Sequence, residues 1–145
     1  MKNIALHTTE EADGFSKAEW LAWDAFLSRS GETSIHLSSR AVRASLESPS
    51  RAVRVARWTD EEGELKGIAL CEDSQAISQG VDDFLEGTVW FRRAKNWLHR
   101  RGGFRFAVRV IGTPLASGPH GYRFAEDVDE WSCLRHVLSL PGIPS

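Results

Sequence analysis

His120 is the residue whose type and surroundings point most directly to chemistry. It stands in the sequence SGPHGYRF, where two glycines and a proline predict a sharp turn directly after a predicted strand. Loops that follow strands are frequent ligand sites, because backbone amides are exposed there and side chains converge. A histidine at such a place can act as a general base or donate a hydrogen bond to an acyl carbonyl. The alternative is a turn histidine that packs on Tyr122 or Trp131.

Three further residues are candidates because of their positions around the same loop. Tyr122 follows the turn and is predicted to join His120 as a catalytic residue. Arg109, on the preceding predicted strand, and Ser117, within the loop, are predicted to contact the substrate. We therefore expect the segment from Gly112 to Tyr122 to carry whatever chemistry the chain performs.

Other chemistries lack their motifs in this sequence. The histidines are scattered, and Cys133 with His136 is the only cysteine–histidine pair at one-turn spacing, which is too few ligands for a zinc site. We expect no bound metal. Neither GxxxxGK[ST] nor GxGxxG occurs, and no serine lies in a GxSxG elbow. Cys71 and Cys133 lie in apolar sequence without a CxxC motif, which favours buried, reduced thiols.

Hydrophobic spacing and turn residues predict the elements that position these side chains. Ser16 and Glu19 have the spacing of a capping box at the start of a tryptophan-bearing helix. A loop or irregular helix is expected at 72–86, rather than a strand. The other predicted elements are a short strand near Ile4 and Leu6, a helix from Ser38 or Ser39 to Pro49, a hairpin of strands 51–59 and 65–71, a helix at 88–101, a strand at 104–111 and a last helix at 126–140.

The charges are balanced overall but segregated along the chain. The chain has 18 basic and 20 acidic residues, while the segment 87–124 contains no acidic residue and eight basic ones. This segment forms either a basic face for an anionic ligand or a set of cations that pair with acids elsewhere in the fold. The aromatic residues of helix 88–101 lie on its apolar stripe and are expected in the core, which makes nucleic-acid binding a weak prediction.

Length and composition favour a single domain. The chain has 145 residues, of which 41% are hydrophobic and 26% charged, so we predict one globular domain over residues 1–145. No apolar run approaches the length of a membrane span, and the start MKNIALHTTEE lacks a signal-peptide core. We therefore expect a cytoplasmic protein without a membrane partner. The predicted fold class is α+β, with a mixed, mainly antiparallel sheet flanked by helices.

The run NWLHRRGGFRFAVRVIGTPLASGPHGYRF resembles a segment of bacterial acyltransferases of the GNAT superfamily, close to its Fem-like branch. In these proteins a helix leads to a strand that ends in glycine, followed by a small residue, a glycine, a histidine turn and an aromatic residue. The corresponding positions here are Gly112, Ser117, Gly118, His120, Gly121 and Phe124. The upstream order of two helices, a hairpin and a basic helix is also similar.

The resemblance implies transfer of an acyl group from acyl-CoA, or in the Fem-like branch from aminoacyl-tRNA, to an amine. The expected acceptor is a small molecule or an amine. The superfamily's cofactor loop, [RQ]xxGx[GA], does not occur in the sequence, so the resemblance is to the N-terminal half, and a missing C-terminal half or a homodimer is expected as partner. Two alternatives remain open: a non-catalytic interaction module that pairs through an open sheet edge, and an anionic-ligand or nucleic-acid binder that uses the basic helix 88–101.

Overall fold

The computed structural model describes residues 4–31, 35–77, 93, 97, 105–112 and 121–142. The elements in these ranges, in chain order, are β1 (Ala5–Thr9), α1 (Lys17–Arg29), a short 3-10 helix (Ile35–Leu37), α2 (Ser39–Leu46), β2 (Ala52–Thr59), β3 (Leu65–Ile77), β4 (Arg105–Ile111), β5 (Tyr122–Phe124) and α3 (Glu130–Leu138). Within the described ranges, no helix has the length and apolar character needed to cross a membrane.

The five strands form one open antiparallel sheet, and three helices flank it, which confirms the predicted α+β class. The strand order is β1-β2-β3-β4, and β5 also pairs with β3. The hairpin of β2 and β3 turns at Gly63, whose φ of 83° suits a residue without a side chain. A register shift between Trp58 and Thr59 marks a bulge next to this turn.

Local signals start both N-terminal helices. The hydroxyl of Ser16 accepts from the amide of Glu19, and the Glu19 carboxylate accepts from the Ser16 amide at 2.6 Å, which completes the predicted capping box. The hydroxyl of Ser38 caps α2 by accepting from the amide of Ala41. The carboxylate of Asp24 on α1 also accepts from the Ser39 amide at 2.9 Å, so the start of α2 is tied to α1.

Alternating side chains give the sheet two buried faces. Val53, Val55, Ile68 and Leu70 belong to one apolar cluster together with residues of α1 and α2. The intervening strand residues belong to a second cluster with α3, and they include Ala56, Trp58, Ala69, Cys71 and Phe124. Because successive residues of a strand point to opposite faces, α3 packs on the face opposite α1 and α2.

The chain divides into two compact units. The first contains residues 1–73 and 109–145, and with them β1, β2, β5, α1, α2 and α3. The second contains residues 74–108, of which the structure describes the end of β3, the start of β4 and two helical residues, Arg93 and Trp97. These two are the described part of the predicted helix 88–101; the rest of that prediction lies outside the described residues.

Several predicted boundaries were wrong. The segment 72–77, expected as loop or irregular helix, is the second half of β3. The last helix begins four residues later than predicted, because Asp129 is its N-cap and accepts from the amide of Ser132 at 3.3 Å. β5 was not predicted as a strand. Trp97, expected in the core, is 56% exposed.

Candidate functional site

The predicted site lies where the strand next to β3 is interrupted. β4 and β5 pair with the same strand, and Leu70 of β3 contacts the end of one and the start of the other. The amide of Gly112 donates to the carbonyl of Leu70 at 2.6 Å, and the amide of Leu70 donates to the carbonyl of Gly121 at 2.8 Å. One residue of β3 therefore holds both ends of the loop 113–120, which itself lies outside the described residues.

Both glycines at this junction are required by geometry. Gly112 has a φ of 108°, a conformation that L side chains rarely adopt. A Cβ added to Gly121 would overlap the backbone nitrogen and Cα of Gly112, and these atoms cannot move aside as a flexible side chain can. The glycines of the sequence motif thus allow two backbone segments to touch at the base of the loop.

Tyr122 begins β5 directly after this junction. Its ring is half-buried, lies 5.9 Å from the ring of Phe124 and packs against the apolar cluster under α3. Ile111, the last residue of β4, packs against the same cluster. The candidate catalytic tyrosine is therefore held at the base of the loop by the same core that anchors α3.

Arg109, the predicted substrate-binding residue of β4, is engaged in an extended network. Its guanidinium donates to Asp73 of β3 through Nε at 2.6 Å and through Nη2 at 2.8 Å. Nη1 donates to the carbonyls of Val137 at 3.2 Å and Leu140 at 2.7 Å, and Nη2 to the carbonyl of Pro141 at 3.0 Å. The C-terminal end of a helix has carbonyls without partners in the helix and carries a partial negative charge. A guanidinium there donates hydrogen bonds to the carbonyls and interacts favourably with the charge.

Arg54 of β2 reinforces this network. It donates from Nη1 to the carbonyl of Pro141 at 2.9 Å and forms an ion pair with Glu10. Cys71 lies on the same face, and burial raises the pKa of its thiol to about 11, although Arg109 and Arg54 oppose the shift. The segment that follows α3 is thus held by two arginines of the sheet, and the nearby thiol stays protonated at neutral pH.

A groove of about 430 Å³ adjoins β5 on the side of α1. Its apolar lining comes from residues that include Phe26, Leu65 and Phe124. Three basic and two acidic residues surround this lining: Arg29, Lys66, Arg123, Glu64 and Glu126. The Arg123 guanidinium donates to the carbonyl of Ser30 at the end of α1, and Lys66 forms an ion pair with Asp127 at 3.2 Å. The groove can accept an anionic group beside an apolar one.

The structure brings two of the four predicted site residues to the two sides of the junction. Arg109 precedes Gly112 on β4 and Tyr122 follows Gly121, while His120 and Ser117 lie outside the described residues. Sequence reasoning missed Asp73, the partner of Arg109. The available signal was an aspartate at the end of the strongly apolar run LKGIALCED. An acid at the end of a buried strand needs a cationic partner, and the basic segment 87–124 contains such cations.

Comparison of the chain with protein-family models, with curated proteins and with solved structures finds no match.

Proposed function

We propose that this chain is an acyltransferase-like domain that transfers an acyl group from a coenzyme A thioester to an amine at the loop 113–120. The observation that carries the proposal is the junction at Leu70, where Gly112 and Gly121 pin both ends of the histidine-bearing loop to the sheet. The two described ends of this segment are thus anchored in the sheet, and positioned catalysis requires such anchoring of the residues that carry it.

The order of the elements supports the proposal. A first strand, two helices and a hairpin precede β4, and β4 ends at a glycine before the loop. The resemblance to Fem-like members of the GNAT superfamily is to two helices, a hairpin and a basic helix. The two helices and the hairpin are present, and the basic helix lies outside the described residues except for Arg93 and Trp97. Two of the glycines that carry the resemblance, Gly112 and Gly121, stand at positions of the junction where a side chain would be strained or would overlap backbone.

The chemistry needs a proton acceptor near the amine. The amine nitrogen attacks the thioester carbonyl, a C–N bond forms, the C–S bond breaks, and the sulfur leaves as a thiolate that takes up a proton. His120 is the proposed base that removes the amine proton. Tyr122 at the base of the loop is its proposed catalytic neighbour, and Ser117 is the proposed contact to the acceptor.

The groove beside β5 supports binding of the thioester. Coenzyme A carries phosphates, which Arg29 and Arg123 at the rim attract, while Phe26 and Phe124 offer an apolar surface. We assign Arg109 the role of holding β4, β3 and the segment after α3 in place, because Asp73 and the carbonyls after α3 engage its guanidinium.

Ligand-induced thermal stabilisation tests binding. Saturating acetyl-CoA at about 100 times its Kd should add about 2.7 kcal/mol to the free energy of unfolding. Pantetheine, which lacks the phosphates, should stabilise the protein less, and Arg123→Ala should weaken the effect of acetyl-CoA. Absence of any shift with acetyl-CoA and longer acyl-CoAs would contradict the proposal.

Turnover tests the catalytic assignment. Release of free coenzyme A in the presence of a panel of amines should fall about 100-fold in His120→Ala, the loss typical of a general base. His136→Ala is the matched control, because His136 is exposed on α3 and outside the loop, and it should retain the wild-type rate. Equal rates in the two variants would remove His120 from the mechanism.

A further inference from the structure

In the part of the chain that the structure describes, β1 is an edge strand of the sheet without the features by which edge strands avoid pairing. Among the described strands it pairs with β2 alone, through five consecutive residue pairs from Ala5↔Thr59 to Thr9↔Val55 without a register shift. Its sequence, ALHTT, contains no charged residue and no proline. Natural edge strands commonly carry lysine, proline or a bulge, because a regular, uncharged edge is a template for another strand.

The side chains of β1 leave this edge accessible. Ala5, His7 and Thr8 are exposed, while Leu6 packs against the core under α3. Strand residues with short or β-branched side chains, such as Ala5 and Thr8, suit close cross-strand contact. The edge is therefore neither charged nor covered at these side chains.

We propose that β1 pairs with β1 of a second copy of this chain, so that two sheets join into one across a two-fold axis. The inference goes beyond acyl transfer and does not depend on it. A second copy fits because both strands of the pair are then uncharged and regular, and no like-charge contact opposes association. The two-fold arrangement also closes after two copies.

The other edge of the sheet is a poorer partner. β4 carries Arg105 and β5 carries Arg123, whereas the Arg109 guanidinium of β4 is paired with Asp73. Pairing of β1 with β4 of the next copy would be head-to-tail, which generates open chains of molecules unless the rotation closes into a ring. A symmetric pair of β1 strands brings no charged side chains together, whereas a pair that uses the other edge brings arginines to the contact. The symmetric β1 pair is therefore favoured.

Mass measurement over a range of concentrations tests the pair. The wild-type chain should shift with increasing concentration from its monomer mass of 16.2 kDa to twice that value in sedimentation or light scattering. The edge variant Ala5→Lys/His7→Lys places lysines on the exposed side of β1 and should weaken dimerisation by about tenfold or more.

The matched control is Ala44→Lys/His136→Lys, which makes the same two exchanges at exposed positions of α2 and α3. It adds the same charge and should dimerise as the wild type does. A wild-type chain that stays monomeric at every concentration would overturn the proposal, as would an edge variant that dimerises like the control.

Hydrogen exchange keeps the test decisive if the edge variant folds poorly. In the wild type, amides of residues 5–9 that point away from β2 should exchange more slowly as the concentration rises, because a second strand protects them. Amides of β2 should show no such dependence. Protection that rises elsewhere and not in β1 would assign the dimer to another surface and refute the strand pair.

Discussion

Arg109 and Asp73 form a two-pronged ion pair between β4 and β3, with Nε to Oδ1 at 2.6 Å and Nη2 to Oδ2 at 2.8 Å. Both side chains are largely buried, with 13% and 21% of their surface exposed. The same guanidinium also donates to the carbonyls of Leu140 and Pro141. Its N–H groups are therefore already engaged by the protein. The pair thus joins two strands and the segment after α3.

Arg109→Met should lower the free energy of unfolding by about 3 kcal/mol, because it removes the guanidinium from a partly buried carboxylate and from the carbonyls after α3. Urea unfolding measures the change. The control is Arg123→Met, which removes an exposed guanidinium that donates to the Ser30 carbonyl and should cost about 1 kcal/mol. Equal losses would show that the Arg109 network adds no more stability than the single hydrogen bond of Arg123.

Gly121→Ala should destabilise the protein by about 3 kcal/mol, because its Cβ would overlap the backbone of Gly112. Gly63→Ala serves as control: Gly63 also needs a glycine, with φ of 83°, but an added Cβ there meets nothing within 4 Å. Its cost should stay near 1 kcal/mol. Thermal and urea unfolding should rank the two variants in this order, and the reverse order would contradict the close approach.

Trp23→Phe should cost about 2 kcal/mol. The indole Nε1 of Trp23 donates to the carbonyl of Leu37 at 2.7 Å, and phenylalanine would leave this buried carbonyl without the bond and the site underfilled. Trp131→Phe makes the same exchange at a side chain that is 71% exposed and should change stability by no more than about 0.5 kcal/mol. Comparable losses in chemical denaturation would argue against the buried hydrogen bond.

Cys71 should make stability fall at alkaline pH. Its pKa rises from an ordinary value of 9 to about 11 in the fold. Above pH 9 the unfolded chain therefore loses the thiol proton while the folded chain keeps it. Stability is fully present below pH 9 and is lost as the pH rises toward 11, by roughly 2 to 3 kcal/mol.

The measurement is urea unfolding between pH 8 and 11 for the wild type and for Cys71→Ala. The variant starts from lower stability because the substitution leaves a small cavity, but the difference between the two proteins should shrink as the pH rises. Other groups titrate equally in both. A difference that stays constant up to pH 11 would contradict the buried, protonated thiol.

Elements with local signals were predictable from the sequence. The capping box of Ser16 and Glu19 and the hairpin turn at Gly63 depend on residues within a few positions of one another, and both are observed. The glycines of the loop were also identified, although the sequence did not indicate that Gly112 and Gly121 would touch.

Elements that depend on distant partners were not predictable in this way. The end of β3 reads as polar loop because Glu72 and Asp73 interrupt the apolar pattern, yet each pairs with an arginine remote in sequence, Arg51 and Arg109. β5 has three residues and is defined by its pairing with Gly67, Ile68 and Ala69 of β3. A Cβ at Gly67 would overlap the Phe124 ring. Predictions made from the pattern of neighbouring residues do not detect contacts between residues distant in the sequence.

The meeting of Gly112 and Gly121 at Leu70 fixes both ends of the segment 113–120 at one place on the sheet. Because the chain leaves and rejoins the sheet at one point, we expect that a segment of different length or sequence could replace it without moving a strand. Doubling the length of a flexible loop costs only about 0.6 kcal/mol in closure entropy. The junction therefore offers a grafting point, at which libraries of loop sequences can be screened on an unchanged sheet.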